Sequence, residues 1–182
     1  MREDPLWGVD PAEVTANWAT GPVPWPEQQL VGSEYQDVDA EADMVIADPG
    51  SWLLAGTGLQ EGSRLPGVVF GEYDRYEPAL PGPRNVTLIA HSPVANRGAR
   101  AAADVTYYSA PSGAGVLAMG TASFVNIAWT ASGVPTNVIR PTGKVDPSAP
   151  TLQRMLENVF SVFGAGPAGV TNPSTANWQR YA

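Results

Sequence analysis

The chain has 182 residues, 43% of them hydrophobic, which is enough to fill one real core and suits a single domain. Ten basic residues against 18 acidic ones leave a net charge of −8, which repels polyanions and argues against nucleic-acid and anionic-membrane partners. The absence of Cys removes disulfides, thiolate nucleophiles and Cys-based metal sites, and a single His rules out a His-rich metal centre.

The first forty residues scatter Trp7, Trp18, Trp25 and Tyr35 among five prolines, so neither helical nor strand periodicity lasts. Residues 1–40 are expected to drape over an apolar surface, one that other sequence would supply. Asp10 before Pro11 is the signature of a short helix start. Met1 to Pro5 lacks the basic start and apolar run of a signal peptide, and no apolar stretch reaches bilayer length, so a cytoplasmic protein is expected.

Residues 42–47 read as a strand ended by Asp48-Pro49-Gly50, with Asp37, Asp39, Glu41 and Asp43 as the solvated face of its entrance. That acidic rhythm imitates a calcium loop, but Ala42 stands where the turn Gly belongs and Asp48 where the final Glu belongs. Further strands are expected at 67–72, 85–91, 105–109 and 115–119. A helix is expected at 151–163, where Leu152, Met155, Leu156, Val159, Phe160 and Phe163 recur at helical spacing between Ser148-Ala149-Pro150 and Gly164. A shorter one fits 124–129, and residues 165–182 are expected to lie along the surface.

Several motifs fail on context. Gly164-Ala165-Gly166-Pro167-Ala168-Gly169 has the dinucleotide spacing, but it follows a helix and leaves 13 residues for a unit that needs about 30. Gly143-Lys144 lacks both the first Gly and the Ser or Thr of a phosphate loop. Asn85-Val86-Thr87 has the glycosylation pattern within an apolar strand. Ser92 follows His91, yet no nucleophile elbow exists, and neighbours in a strand face opposite ways.

Glu72 stands apart. The run Leu65 to Gly71 has no polar side chain and ends at Glu72-Tyr73-Asp74-Arg75, which places a carboxylate where a buried strand is expected to meet a loop. Ligands bind at that edge of open α/β sheets, and partial desolvation there would raise a carboxyl pKa toward the range of a general base. The structural counterpart is an ion pair with Arg75 or Arg84. Tyr107 and Tyr108 close another strand, one facing the core and the other away, and a phenol at such a place can donate to a substrate carbonyl. His91, at a strand end, is either a pocket residue or a hydrogen-bonded fixture.

At the runs Ala42 to Pro49, Trp52 to Leu59, Leu65 to Asp74, Thr106-Tyr107-Tyr108 and Ser112 to Thr121, the sequence resembles the C-terminal domain of the N,N-dimethylformamidase large (beta) subunit family. The resemblance implies a glutamine-amidotransferase-like α/β domain with flavodoxin-like layers over 41–164, without the amidotransferase Cys, joined by long Pro/Gly-rich connections and completed by other sequence. It implies the C-terminal portion of a hydrolase of small amides. The iron of such an enzyme would be held by tyrosines and a carboxylate in preceding sequence, so this chain is expected to bind no cofactor itself. Its partner would be the upstream part of the same enzyme or a separate subunit. Glu72 takes the place of a glutamate proposed as the base, and Tyr108 that of a pocket aromatic, with Asp74, His91 and Tyr107 as further pocket candidates. The alternative is a domain with no activity alone that lends an interface to a partner.

Overall fold

A computed structural model describes residues 3–10, 13–14, 25–95, 101–130 and 146–182. The Gly143-Lys144 turn, and Pro11 of the expected first helix, lie outside them. The elements run α1 (Gln28–Val31), β1 (Glu34–Val45), β2 (Arg64–Arg75), β3 (Thr87–Pro93), β4 (Ala102–Ser109), β5 (Gly115–Ala118), α2 (Phe124–Thr130), α3 (Ala149–Gly164) and α4 (Ala168–Thr171). This is a mixed α/β fold whose strands form two small antiparallel sheets, β1-β2 and β3-β4-β5.

The sheets are stitched together at two places. Beyond the end of β1, Ile46 bridges Ala90 of β3, and the N–H groups of Ala47 and Asp48 both donate to the Ile89 carbonyl. Residues following β5 return to β2, where Tyr73 bridges Thr121. One core therefore spans both sheets, with Met44, Ile46, Val68, Val69, Ile89 and Val105 buried in it. The amphipathic helix α3 closes this core with Leu152 and Met155, as its apolar spacing requires, and Trp52 packs edge-on against Tyr107 at 5.3 Å.

The strand β1 begins at Glu34, well before the expected residue 42, so the first forty residues contain a helix and half a strand as well as connections. The acidic alternation concealed it, because β1 is an outer strand whose Asp and Glu side chains remain wholly or partly exposed. The register of the pair shifts at three places, two of them beside residues with positive φ. Gly67 takes φ +62° where β2 bulges opposite Asp43, whose carboxylate accepts the Gly67 N–H at 3.1 Å. Further along, Asp39 takes φ +62° nearly opposite Gly71 at φ +79°.

The tail is docked, not loose. Asn177 lies against the outer edge of β3 and mimics a strand residue: its Oδ1 accepts the Leu88 N–H at 2.7 Å, and its Nδ2 donates to the Leu88 carbonyl at 3.0 Å. Asn85 donates to the Ser109 carbonyl and to Ser174 Oγ, so its amide serves the fold. Gly169 of the failed dinucleotide motif packs where a Cβ would stand 2.5 Å from the Ala114 carbonyl oxygen. Its glycine is explained by close approach of two backbones.

Candidate functional site

Glu72 does not end a strand. β2 continues to Arg75 because β1 reaches back to pair with it, with Asp37 opposite Tyr73 and Glu34 opposite Arg75. What distinguishes Glu72 is the local bend: Gly71, left-handed, precedes it, and the register across to β1 slips by one residue beside it. Such bulges re-aim side chains, and here Glu72 is exposed while Tyr73 is buried in the core.

On the other edge of β2, the Glu72 carbonyl accepts the Ala122 N–H at 3.2 Å and the Asp74 N–H donates to the Gly120 carbonyl at 3.2 Å. Thr121 Oγ1 accepts the Phe70 N–H at 3.1 Å, which secures the returning segment. Between Glu72, Asp74 and the segment Met119 to Ala122 lies an open hollow of about 210 Å³.

The electrostatics single out Asp74. Burial raises its carboxyl from 3.8 to about 6, reinforced by Glu27, then Glu72, then Glu34. Burial also raises the Glu34 carboxyl, against the lowering effect of the Gln28 N–H that it accepts and with the help of Glu27. Glu27 and Glu34 bracket α1, whose position is fixed from two sides. Gln28 exchanges hydrogen bonds with the Glu77 backbone, receiving its N–H at 2.6 Å and donating to its carbonyl at 3.0 Å. Tyr108 donates its hydroxyl to the Leu30 carbonyl at 2.7 Å.

Of the five residues selected from sequence, the structure thus brings Glu72 and Asp74 together. Tyr108 is buried against Tyr76, Val86 and Leu88 and does not line their hollow. Tyr107, on the opposite face of β4, donates to the Asn172 carbonyl at 2.8 Å and helps line a separate hollow of about 440 Å³ between 48–52 and 171–175. Burial pushes both phenols above their ordinary range. His91 pairs with Asp104, 2.7 Å away across β3 and β4, while its neighbour Ser92 turns the other way and accepts the Val45 N–H.

Sequence reasoning missed Glu27, Glu34 and Asp104, and the backbone lining at Gly120. A signal existed for Asp104, the one charge in the strand Ala-Ala-Asp-Val-Thr-Tyr-Tyr-Ser, which is buried from Ala102 to Tyr108.

Among the described residues no three His, Cys, Asp or Glu side chains converge as metal ligands, and the hydroxyls of Tyr107 and Tyr108 are committed to backbone carbonyls on opposite sides of β4. No helix among the described residues is long and apolar enough to cross a membrane.

The molecule is a two-sheet α/β domain whose paired carboxylates face a small open hollow beside a β-bulge. The chain belongs to the family described as N,N-dimethylformamidase beta subunit-like, C-terminal, which matches residues 1–130. That match takes in all five strands, the hollow and α2, and stops short of α3 and the docked tail. No curated protein matches the chain.

Proposed function

We propose that the chain is the C-terminal portion of an amide hydrolase, and that the hollow beside Glu72 and Asp74 holds a small linear amide. The observation that carries the reading is this carboxylate pair, set in a bulged strand within the region the family matches.

In this reading Glu72 is the general base. It removes a proton from the water that attacks the amide carbonyl, and a C–O bond forms as the carbonyl π pair moves to oxygen. Collapse of the tetrahedral intermediate breaks the C–N bond, and the leaving nitrogen takes a proton from Asp74, whose raised pKa keeps a proton available near pH 6. The products are a carboxylate and an amine. The assembled enzyme's iron belongs to other sequence, either upstream in the same enzyme or in a separate subunit, and the steps assigned to this chain are proton transfers. A glutamine-amidotransferase-like arrangement would be completed by that same sequence.

A bulky side chain in the hollow tests the pocket assignment. Ala122 is exposed at its rim, so Ala122→Trp leaves folding intact while blocking formamide hydrolysis by the assembled enzyme. Unchanged KM and kcat in that variant would remove the hollow from the reaction.

A second reading, a non-catalytic interface module, is favoured by Trp25 and Leu30. They are 57% and 59% exposed and together line an apolar hollow of about 260 Å³ beside α1. Under that reading Leu30→Glu abolishes association with the upstream polypeptide, and Ala122→Trp changes nothing.

A further inference from the structure

The hollow of about 440 Å³ that Tyr107 helps line has the size of a small-molecule pocket and shares no residue with the hollow of Glu72 and Asp74. One wall is the loop 48–52, inside the family-matched region, and another is the tail at 171–175, outside it. The tail wall is held in place by the fold itself. Thr87 Oγ1 donates to the Thr175 carbonyl at 2.7 Å and accepts the Thr175 N–H at 2.9 Å, while the Tyr107 hydroxyl donates to the Asn172 carbonyl at 2.8 Å. A ligand entering a wall already fixed has less ordering to offset.

The loop wall carries an indole. Trp52 packs against Tyr107 and Phe163, with ring centroids 5.3 Å and 5.9 Å away. Its side chain is partly exposed, yet its Nε1 is buried without a hydrogen-bond partner, so the indole surface left open is carbon. Oxygen acceptors complete the lining. Asp48 Oδ1 accepts the Gly50 N–H at 3.1 Å, and the Asn172 amide donates to Thr171 Oγ1 at 3.0 Å. Among the described residues nothing donates to Asp48 Oδ2 or to Asn172 Oδ1, Asp48 has no ion pair, and no basic side chain lines the hollow.

We propose that this hollow is a binding site for a small alkylammonium ion, whose N–H groups donate to Asp48 and Asn172 and whose alkyl part lies on the open carbon surface of Trp52. The carboxylate supplies the opposite charge through charge-assisted hydrogen bonds, and an indole is the aromatic surface that attracts a cation best. An anion would meet Asp48 with no basic side chain to offset it, on a chain whose net charge is already −8. The site is distinct from the carboxylate pair and does not rest on the amide-hydrolase reading.

The amide NMR signals of the full chain are followed as butylammonium chloride replaces sodium chloride at constant pH and ionic strength. The expected result is a saturable shift at residues 48–52 and 171–175, weakened about tenfold or more by Asp48→Asn, as loss of a charged hydrogen-bond partner requires. Asn at that position keeps a side-chain oxygen for the Gly50 N–H, so the turn is retained. Butanol, which has the alkyl part without the charge, is expected to bind at least about tenfold more weakly than butylammonium. Asp39→Asn removes an exposed carboxylate from β1, at a positive φ that Asn tolerates, and leaves the affinity unchanged. A shift that is absent or never saturates in the wild-type chain overturns the proposal, as do saturating shifts confined to 72–74 and 119–122, which would seat the cation at the carboxylate pair. Equal affinity for butanol, equal affinity in a folded Asp48→Asn variant, or the same weakening in Asp39→Asn as in Asp48→Asn also overturns it. Where Asp48→Asn does not fold, the comparison with butanol decides on the wild-type chain alone.

Discussion

Gly120 approaches Asp104 so closely that a Cβ on the glycine would stand 2.0 Å from the Asp104 carbonyl oxygen. The same glycine has φ +60°, and its own carbonyl receives the Asp74 N–H. One backbone contact therefore joins the hollow beside Asp74 to the strand that carries the His91 partner. Gly120→Ala has neither the space nor the backbone freedom it needs, and it is expected to cost at least about 2 kcal/mol. Urea unfolding measures this, and a stability within experimental error of wild type would show that the approach relaxes freely.

Asp74 makes stability depend on pH in an unusual direction for a carboxyl. Its folded pKa, about 6, lies above the ordinary 3.8, so the folded state favours the protonated form. The contribution is complete below about pH 3.8 and is lost as pH rises through about 6. Asp74→Asn is expected to remove this dependence and to stabilise the chain near pH 7 by about 1 kcal/mol, the shift being discounted for a group partly open to solvent. Thermal unfolding of both proteins between pH 4 and 8 measures it; parallel profiles contradict the assignment.

Tyr108 is expected to act at a distance on that same carboxyl, by holding the helix that Glu27 and Glu34 flank. Its hydroxyl holds α1 through Leu30, and α1 is bracketed by Glu27 and Glu34, which help raise Asp74. Tyr108→Phe is expected to cost about 1 kcal/mol, the usual net worth of such a bond. It also lets the Asp74 midpoint fall in a carboxyl NMR titration. A residue that merely filled space would leave the midpoint where it was.

The Asn177 amide occupies the place of a neighbouring strand along β3. Removing it in Asn177→Ala leaves the N–H and carbonyl of buried Leu88 without those partners, at a cost of about 1–3 kcal/mol. Hydrogen exchange at the Leu88 amide reads the change directly, and unchanged protection there would show that the tail only rests on the surface.

How far the sequence could be read depended on which interactions were local. Helix α3 was legible from its apolar spacing, and β3, β4 and β5 from short apolar runs between Gly, Pro and Ser, because periodicity is a local property. The first half of β1 was not legible: its acidic residues look like a solvated loop, and only pairing with β2, about thirty residues on, makes them a strand. Glu72 was singled out on the expectation of a strand end, which does not hold. An apolar run does stop there, but the strand continues, and a bulge instead of a strand end turns the side chain outward. The raised carboxyl is Asp74, whose partners Glu27 and Glu34 lie some forty residues away with nothing local to link them. His91 was visible as a lone histidine, and its tie to Asp104 appears only once the register of β3 against β4 is known.

Proton transfer by Glu72 in amide hydrolysis is tested by kcat for a small formamide with the full enzyme carrying Glu72→Gln. The side chain is exposed, so the substitution leaves the fold intact. A general base contributes about 10²–10⁴-fold, so kcat is expected to fall by at least about a hundredfold with KM little changed. A kcat equal to that of the wild-type enzyme would show that Glu72 moves no proton in the reaction.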